Sequence, residues 1–322
     1  MLVSRIRSSR LGQEYKSELT MFFIFIVFFI AMSFASPYFF TKNNILNVMS
    51  QVSVNSMLAI GMTIVIITAG IDLSVGAILG LSGMVGGMVL MNTHNIMLGV
   101  LVILCISVVV GVVNGFLIGY LSMPAFIVTL GIMEICRSLD YVISDANTAS
   151  KFPSGFAFLG KSKVFGSLPF YVIFIIVMFL FFSWLLSRTK FGRFLYAIGS
   201  NAEAARLTGI NIKFNVMMAY VVSGLMCGFG AWMMTSRLMA CDPTYGVGNE
   251  MDAIAAAVIG GTSMSGGKGT MAGTFIGVLL VGFLRNALNI LGVNPFWQGT
   301  VIGTVIIVAV MAEQLSKLNH RS

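Results

Sequence analysis

The stretch YVIFIIVMFLFFSWLL (171–186) carries no charged side chain anywhere along its length, and that settles the class of fold. Wound as a helix it shows Phe, Ile, Val and Leu on every side, so it has no face to offer water. MFFIFIVFFIAMSF (21–34) reads the same way. With their neighbours both runs reach the roughly 20 residues needed to cross about 30 Å of hydrocarbon. Across the chain 57% of the 322 residues are hydrophobic and 9% are charged, against roughly 25% charged in an ordinary soluble domain. The sequence predicts an all-α, polytopic helical membrane protein.

Working outward from these runs, about ten transmembrane helices are expected, near 21–39, 51–69, 73–91, 97–120, 124–141, 168–187, 214–236, 252–266, 270–291 and 297–315. Gly, Ser and Thr interrupt the apolar pattern around 70 and 266, the mark of broken or tilted helices. Residues 1–20 then form an N-terminal segment, 21–315 one transmembrane domain containing a polar loop at 188–213, and 316–322 a tail. A full-length apolar run follows MLVSRIRSSRLGQEYKSEL without a clear cleavage pattern, so it reads as a retained first span and not as a signal peptide.

Loop charge tests the count. Arg5, Arg7, Arg10 and Lys16 precede the first span, Arg188, Lys190, Arg193, Arg206 and Lys213 fill the 188–213 loop, and Lys317 and Arg321 lie in the tail. Ten spans bring all three segments to one side, which the positive-inside rule makes cytoplasmic. The 142–167 loop, assigned to the outside, fits less well because it holds Lys151, Lys161 and Lys163. The net charge of +8 thus belongs to loops, and no basic groove for nucleic acid is expected. Cys105, Cys136 and Cys227 read as small apolar groups within spans, with Cys241 outside the bilayer, and the four make neither a disulfide framework nor a metal site.

Glycine is abundant at 35 residues, and GMVGG (83–87), GVVNG (111–115) and GLMCGFG (224–230) lie within expected spans. Small residues let helix backbones approach closely in lipid. The spans therefore pack as one bundle.

GSNAEAARLTG (199–209) breaks the apolar pattern with a short helix of its own. Ser200 and Glu203 have the spacing of a capping box, Ala202, Ala204, Ala205, Arg206 and Leu207 favour helix, and Gly209 is a natural stop. So short a helix is marginal alone, and it must lie on the membrane surface, on the ends of the spans, or on a partner protein.

Charged groups at membrane depth usually pair, cap helices or face a cavity. Asp72 and Ser74 stand between two apolar runs, with Asp72 expected to cap a span beginning at Leu73. Glu134 with Arg137, and Arg137 with Asp140, have the spacing of pairs along one helical face; with Arg285 and Asn286 they form a candidate outer network. GTSMSGGKGT (261–270) is no nucleotide loop, because Thr262 and Gly269 break the required spacing. AVIGGTSMSGG (257–267) echoes GIDLSVGAILG (70–80), which makes a five-plus-five internal repeat a candidate arrangement.

ITAGIDLSVGAILGLSG (67–83), PAFIVTLG (124–131), GRFLYAIGSNAEAARLTGINIK (192–213) and the stretch from EMDAIAAAVIGG (250–261) to GTVIG (299–303) together resemble the permease subunits of sugar-importing ABC transporters, the group that includes the ribose, xylose, galactose and autoinducer-2 permeases. Pro124–Ala125 stands where many of these have two prolines, and SDANTAS (144–150) matches no pattern of the group. The resemblance implies a multi-pass protein of the bacterial inner membrane with both termini cytoplasmic. It implies a second copy or a homologous permease, two cytoplasmic ATPase domains that carry ATP and Mg, and a periplasmic sugar-binding protein. The segment matching 192–213 is then the coupling loop, with Ser200, Glu203, Ala204, Ala205, Arg206, Leu207 and Gly209 as its ATPase-facing helix. This chain itself would bind no cofactor or metal and carry no catalytic residue.

A sugar path would need weakly binding polar groups, for which Ser53, Asn55, Thr68, Asp72, Ser74, Asn114 and Thr129 are candidates; each equally suits a bond to its own helix or a neighbouring one. The alternative is an ion-coupled secondary transporter, with Asp72 or Glu134 in a proton or cation cycle. A membrane scaffold that transports nothing is the third reading.

Overall fold

The structure, a computed structural model, describes residues 16–164 and 168–319; Arg5, Arg7, Arg10 and Arg321 therefore lie outside the described residues. The helices are α1 (Lys16–Ala35), α2 (Lys42–Ile67), α3 (Val75–Thr93), α4 (Ile96–Gly119), α5 (Ala125–Ser144), the one-turn α6 (Phe158–Lys161), α7 (Phe170–Arg188), α8 (Lys190–Ser200), α9 (Ala202–Leu207), α10 (Ile212–Leu238), α11 (Asn249–Ile259), α12 (Met271–Ile290) and α13 (Pro295–Asn319). Four two-residue strands pair antiparallel, β1 (Ala149–Ser150) with β4 (Ala240–Cys241) and β2 (Lys163–Val164) with β3 (Leu168–Pro169). The β1–β4 pair lies at the end of the bundle opposite α8 and α9. We call the α8–α9 end, with Arg188, Lys190, Arg193, Arg206 and Lys213, the basic face.

Each expected crossing meets a helix, and by length and composition alone six of them, α2, α3, α4, α7, α10 and α12, can cross a membrane. The α5 helix is less apolar because Glu134, Arg137 and Asp140 lie within it. The span expected over 252–266 is corrected: α11 has 11 residues, about 16 Å long against about 30 Å of hydrocarbon. Ala253–Ile259 are buried against protein, and from Gly260 the chain turns through a loop in which Gly261, Gly266, Gly267 and Gly269 have positive φ. The span expected from 73 starts instead at Val75, after an irregular segment over 68–74 that turns at Ala69, where φ is +62°.

Those two breaks organise the bundle. After α2 ends at Ile67, the chain turns back inward, so that Asp72 reaches Ser223, the residue packed beside Gly61. On the opposite face the 239–248 segment descends along α3, from Cys241 at Gly87 to Gly246 at Gly76, before α11 begins. The α3 helix packs on α4, α5 and α10, and α11 packs on α12, α13 and α2. Thus α1–α5 and the set α7, α10–α13 form two five-helix halves with opposite direction, each with an irregular segment before its third helix, 68–74 before α3 and 239–248 before α11. The echo in the sequence aligned the wrong stretch: the positional mate of 68–74 is 239–248, not 257–267.

The halves meet along a glycine seam. A Cβ on Gly111, Gly115 or Gly119 of α4 would lie 2.7, 2.5 or 2.6 Å from the carbonyl oxygens of Tyr220, Met217 and Lys213 on α10, so these backbones touch with no side chain between them, as the GVVNG and GLMCGFG patterns lead one to expect. Around this centre α4 and α7 turn Val, Leu and Phe side chains outward, where lipid is the compatible solvent.

Candidate functional site

The first candidate site is the junction on the basic face. The α8 helix is capped by Thr189, whose hydroxyl accepts from Gly192 N–H at 3.2 Å, and it buries Leu195 and Ile198. It runs to Ser200, so the expected capping box is corrected: Ser200 ends α8, and Asn201, in an extended conformation, caps α9 by accepting from Ala204 N–H at 2.9 Å. Asn201 suits the corner because its short amide can replace a backbone acceptor directly. Glu203 is paired with Arg206 at 2.5 Å, not with a cap. Gly209 stops the helix at φ +82°, where Gly209 N–H and Ile210 N–H donate to the Arg206 and Ala205 carbonyls.

Only Ala205 of α9 is buried; Glu203, Ala204, Arg206 and Leu207 are exposed, Leu207 to 79%. The corner beneath is tightly fitted. A Cβ on Gly199 would fall inside the van der Waals envelope of the Ile67 carbonyl oxygen and against Gly267 N. Gly267 N–H donates to that same Ile67 carbonyl at 2.9 Å, and Tyr196 donates to the Gly269 carbonyl at 2.7 Å. Burial pushes the Tyr196 phenol up to about 12, so it stays a donor at neutral pH. The α8–α9 corner is therefore fastened both to the end of α2 and to the loop after α11.

The second group lies just inside that junction. Asp72 is not the cap of a helix at Leu73; Ser74 precedes α3, and its N–H and hydroxyl donate to Asp72 Oδ1 at 3.1 and 2.5 Å. Ser223 donates to Oδ2 at 2.9 Å, and Asn114 Nδ2 donates to Ser74 Oγ at 2.8 Å. All four residues are buried, so the carboxylate staples the start of α3 to α4 and α10. Tyr220 adds a bond to the Ile71 carbonyl at 3.3 Å.

Of the other candidate path residues, Ser53, Thr68 and Thr129 donate to carbonyls of their own helices at 2.7, 2.7 and 2.8 Å. Asn55 instead donates to Asp252 Oδ2 at 3.1 Å. The expected α5 pairs are corrected too: among the described residues Arg137 joins neither Glu134 nor Asp140 but Glu250, at 3.8 Å, and the Tyr245 carbonyl, at 2.8 Å. The descending 239–248 segment brings those partners beside α5, nearer than residues on its own helix. Glu134 is exposed, and Asp140 is buried. Arg285 pairs with Asp252 at 2.6 Å, and Asn286 exchanges amide bonds with Asn44 at 2.8 and 2.9 Å.

Sequence reasoning missed Tyr196, Gly199, Ser223, Glu250 and Asp252. The last two carried a readable signal: EMDAIAAA puts two acids at the head of an apolar segment, and an acid there needs a partner.

A bundle of helices long and apolar enough to cross a membrane, in two opposed halves tied together by buried polar clusters, is the architecture of a polytopic membrane protein, and similarity to known proteins makes it a transport permease. Residues 44–310 match the family described as the permease component of the branched-chain amino acid transport system, and the chain belongs to that family. It is 39% identical over 296 residues to the ribose import permease protein of Haemophilus influenzae, covering 90% of this chain and 91% of that one. It is 38% identical over 297 residues to the D-allose transport system permease protein of Escherichia coli (92% and 91% covered), and 35% identical over 319 residues to that organism's galactose/methyl galactoside import permease protein (94% and 95%). No solved structure matches the chain.

Proposed function

We propose that this chain is the translocation subunit of an ATP-driven importer that takes a monosaccharide or similar small polar solute from a periplasmic binding protein into the cytoplasm. The observation that carries this reading is α9: a helix with one buried residue, too short to stand alone, fastened through Gly199 and Tyr196 to both membrane breaks. A partner that moves α9 moves the end of α2 and the loop after α11 with it. The similarity to ribose, allose and galactose permeases supports a sugar as cargo. In this reading ATP and Mg are held by separate ATPase chains, a second copy or a homologous permease completes the membrane unit, and the basic face and both termini are cytoplasmic.

The test is recovery of the tagged chain in mild detergent, comparing wild type with a Glu203→Ala/Arg206→Ala double variant. An ATPase recovered with wild type and lost with the variant supports the reading. No ATPase with either, together with uptake that stops when the ion gradient is collapsed, overturns it in favour of an ion-coupled transporter.

A further inference from the structure

The face opposite the basic one holds a cleft around the Asn55–Asp252–Arg285 cluster. It has a volume of about 500 Å³ and lies within a single chain, between the first half of α2, the last turn of α10, the first turn of α11 and Arg285 of α12. That volume falls within the roughly 300–1,000 Å³ of small-ligand sites. Its wall is mostly polar, which is costly inside a membrane protein unless the groups are paired or face water or a ligand.

The polar groups divide into two kinds. Some are fixed: Asp252 takes bonds from Arg285 and Asn55 on its two oxygens, and Arg237 donates to the Ser50 carbonyl at 2.8 Å. The others are free to bind: the side-chain amides of Asn47 and Gln51 on α2 and Asn249 on α11 make no hydrogen bond among the described residues. Arg285 Nε is buried without an acceptor. An amide both donates and accepts, and so does a hydroxyl. With Asp252 cancelled by Arg285, three amides around a rigid pair match an uncharged ligand that carries several hydroxyls.

We propose that this cleft is a binding site, one in each chain, for a neutral polyhydroxylated solute of monosaccharide size arriving from the outer face. The inference rests on the sugar-importer reading and adds to it: cargo is held inside each permease chain, by Asn47, Gln51 and Asn249, before it crosses. The binding is weak by construction, since the free donors and acceptors are few and the cleft is open.

The experiment uses the full chain in membranes, with Gln51→Cys introduced on a Cys105→Ser background and labelled from outside by a membrane-impermeant maleimide. Millimolar D-ribose, D-allose or D-galactose should slow labelling, and sodium gluconate should not. In the assembled importer Gln51→Leu and Asn249→Leu should each lower sugar uptake about tenfold, as loss of a ligand hydrogen bond implies, with the chain still present in the membrane and still recovered with its ATPase. Gln51→Asn should restore part of the uptake. Labelling indifferent to all three sugars, or leucine variants with wild-type uptake, overturns the proposal. Protection by gluconate and not by the sugars overturns it in favour of an anion site. Absence of any copurifying ATPase removes the importer reading but leaves the labelling result to decide on the cleft.

Discussion

The opposed halves place a cleft on each face, built from equivalent parts and finished with different chemistry. On the basic face the first half of α10, the end of α2, the segment before α3 and the end of α4 enclose about 420 Å³, lined by Thr68, Gly70, Ile118, Val216 and Tyr220 together with Ser200–Ala202 of the α8–α9 corner. On the opposite face the mates of those elements enclose the cleft of Asn47, Gln51 and Asn249. Both are open: the first is walled largely by apolar side chains and the α8–α9 corner, the second by amides and charged groups. The difference teaches that equivalent elements of one scaffold can be lined to opposite ends, with a tightly fitted helix corner on one face and unpaired side-chain amides on the other.

The largest way to break that contrast is at Gly199. Gly199→Val has no room beside Ile67 and Gly267, so uptake should be abolished and the melting temperature in detergent should drop; a fully active variant would mean that the corner is not seated. Next is the staple beneath it. Asp72→Ala leaves Ser74 and Ser223 without their shared acceptor and should cost about 3 kcal/mol in unfolding free energy, with Asp72→Asn intermediate; equal stability of all three would remove the staple account.

On the open side the effects are smaller. Arg285→Met strands Asp252, but Arg285 is already 36% exposed, which limits the loss to about 1–2 kcal/mol; adding Asp252→Asn should recover part of it in a double-mutant cycle. Glu203→Ala/Arg206→Ala should leave the melting temperature unmoved, because an exposed pair of this kind contributes little, while ATPase recovery is lost. That split separates a docking surface from a structural one. Smallest is Asp242 beside β4, whose carboxyl is held below its usual range by hydrogen bonds from Thr148 and Thr244. A depressed folded value means that its contribution is complete above the unfolded value near 3.9 and fades as pH falls through the folded one. Thr148→Val should therefore flatten the acid limb of the stability profile slightly.

Much of this was legible in the sequence where a physical rule acts locally. The apolar runs at 21–34 and 171–186 revealed helices, the Gly111–Gly115 spacing revealed a close crossing, and Gly209 revealed a helix end, because each depends on a residue and its near neighbours. The misreadings share the opposite cause. Residues 252–266 look like a crossing because protein and lipid reward the same apolar side chains, and only packing shows that α11 is buried against α2 and α12. Arg137 was paired along its own helix, since nothing local reports that Glu250 is brought to it by a segment over a hundred residues later. Ser200 lost the cap to Asn201 because two capping residues stand side by side, and the packing of α8 decides between them.

The short α11 also constrains how the chain is made. At about 16 Å it cannot enter a bilayer as a crossing of its own, and its first turn holds Glu250 and Asp252, whose partners Arg137 and Asn55 belong to helices synthesised much earlier. Its place opens only once α2 is there to receive it. Burial of α11 thus depends on helices of the first half being in place, since the groups that pair its two acids lie on α5 and α2.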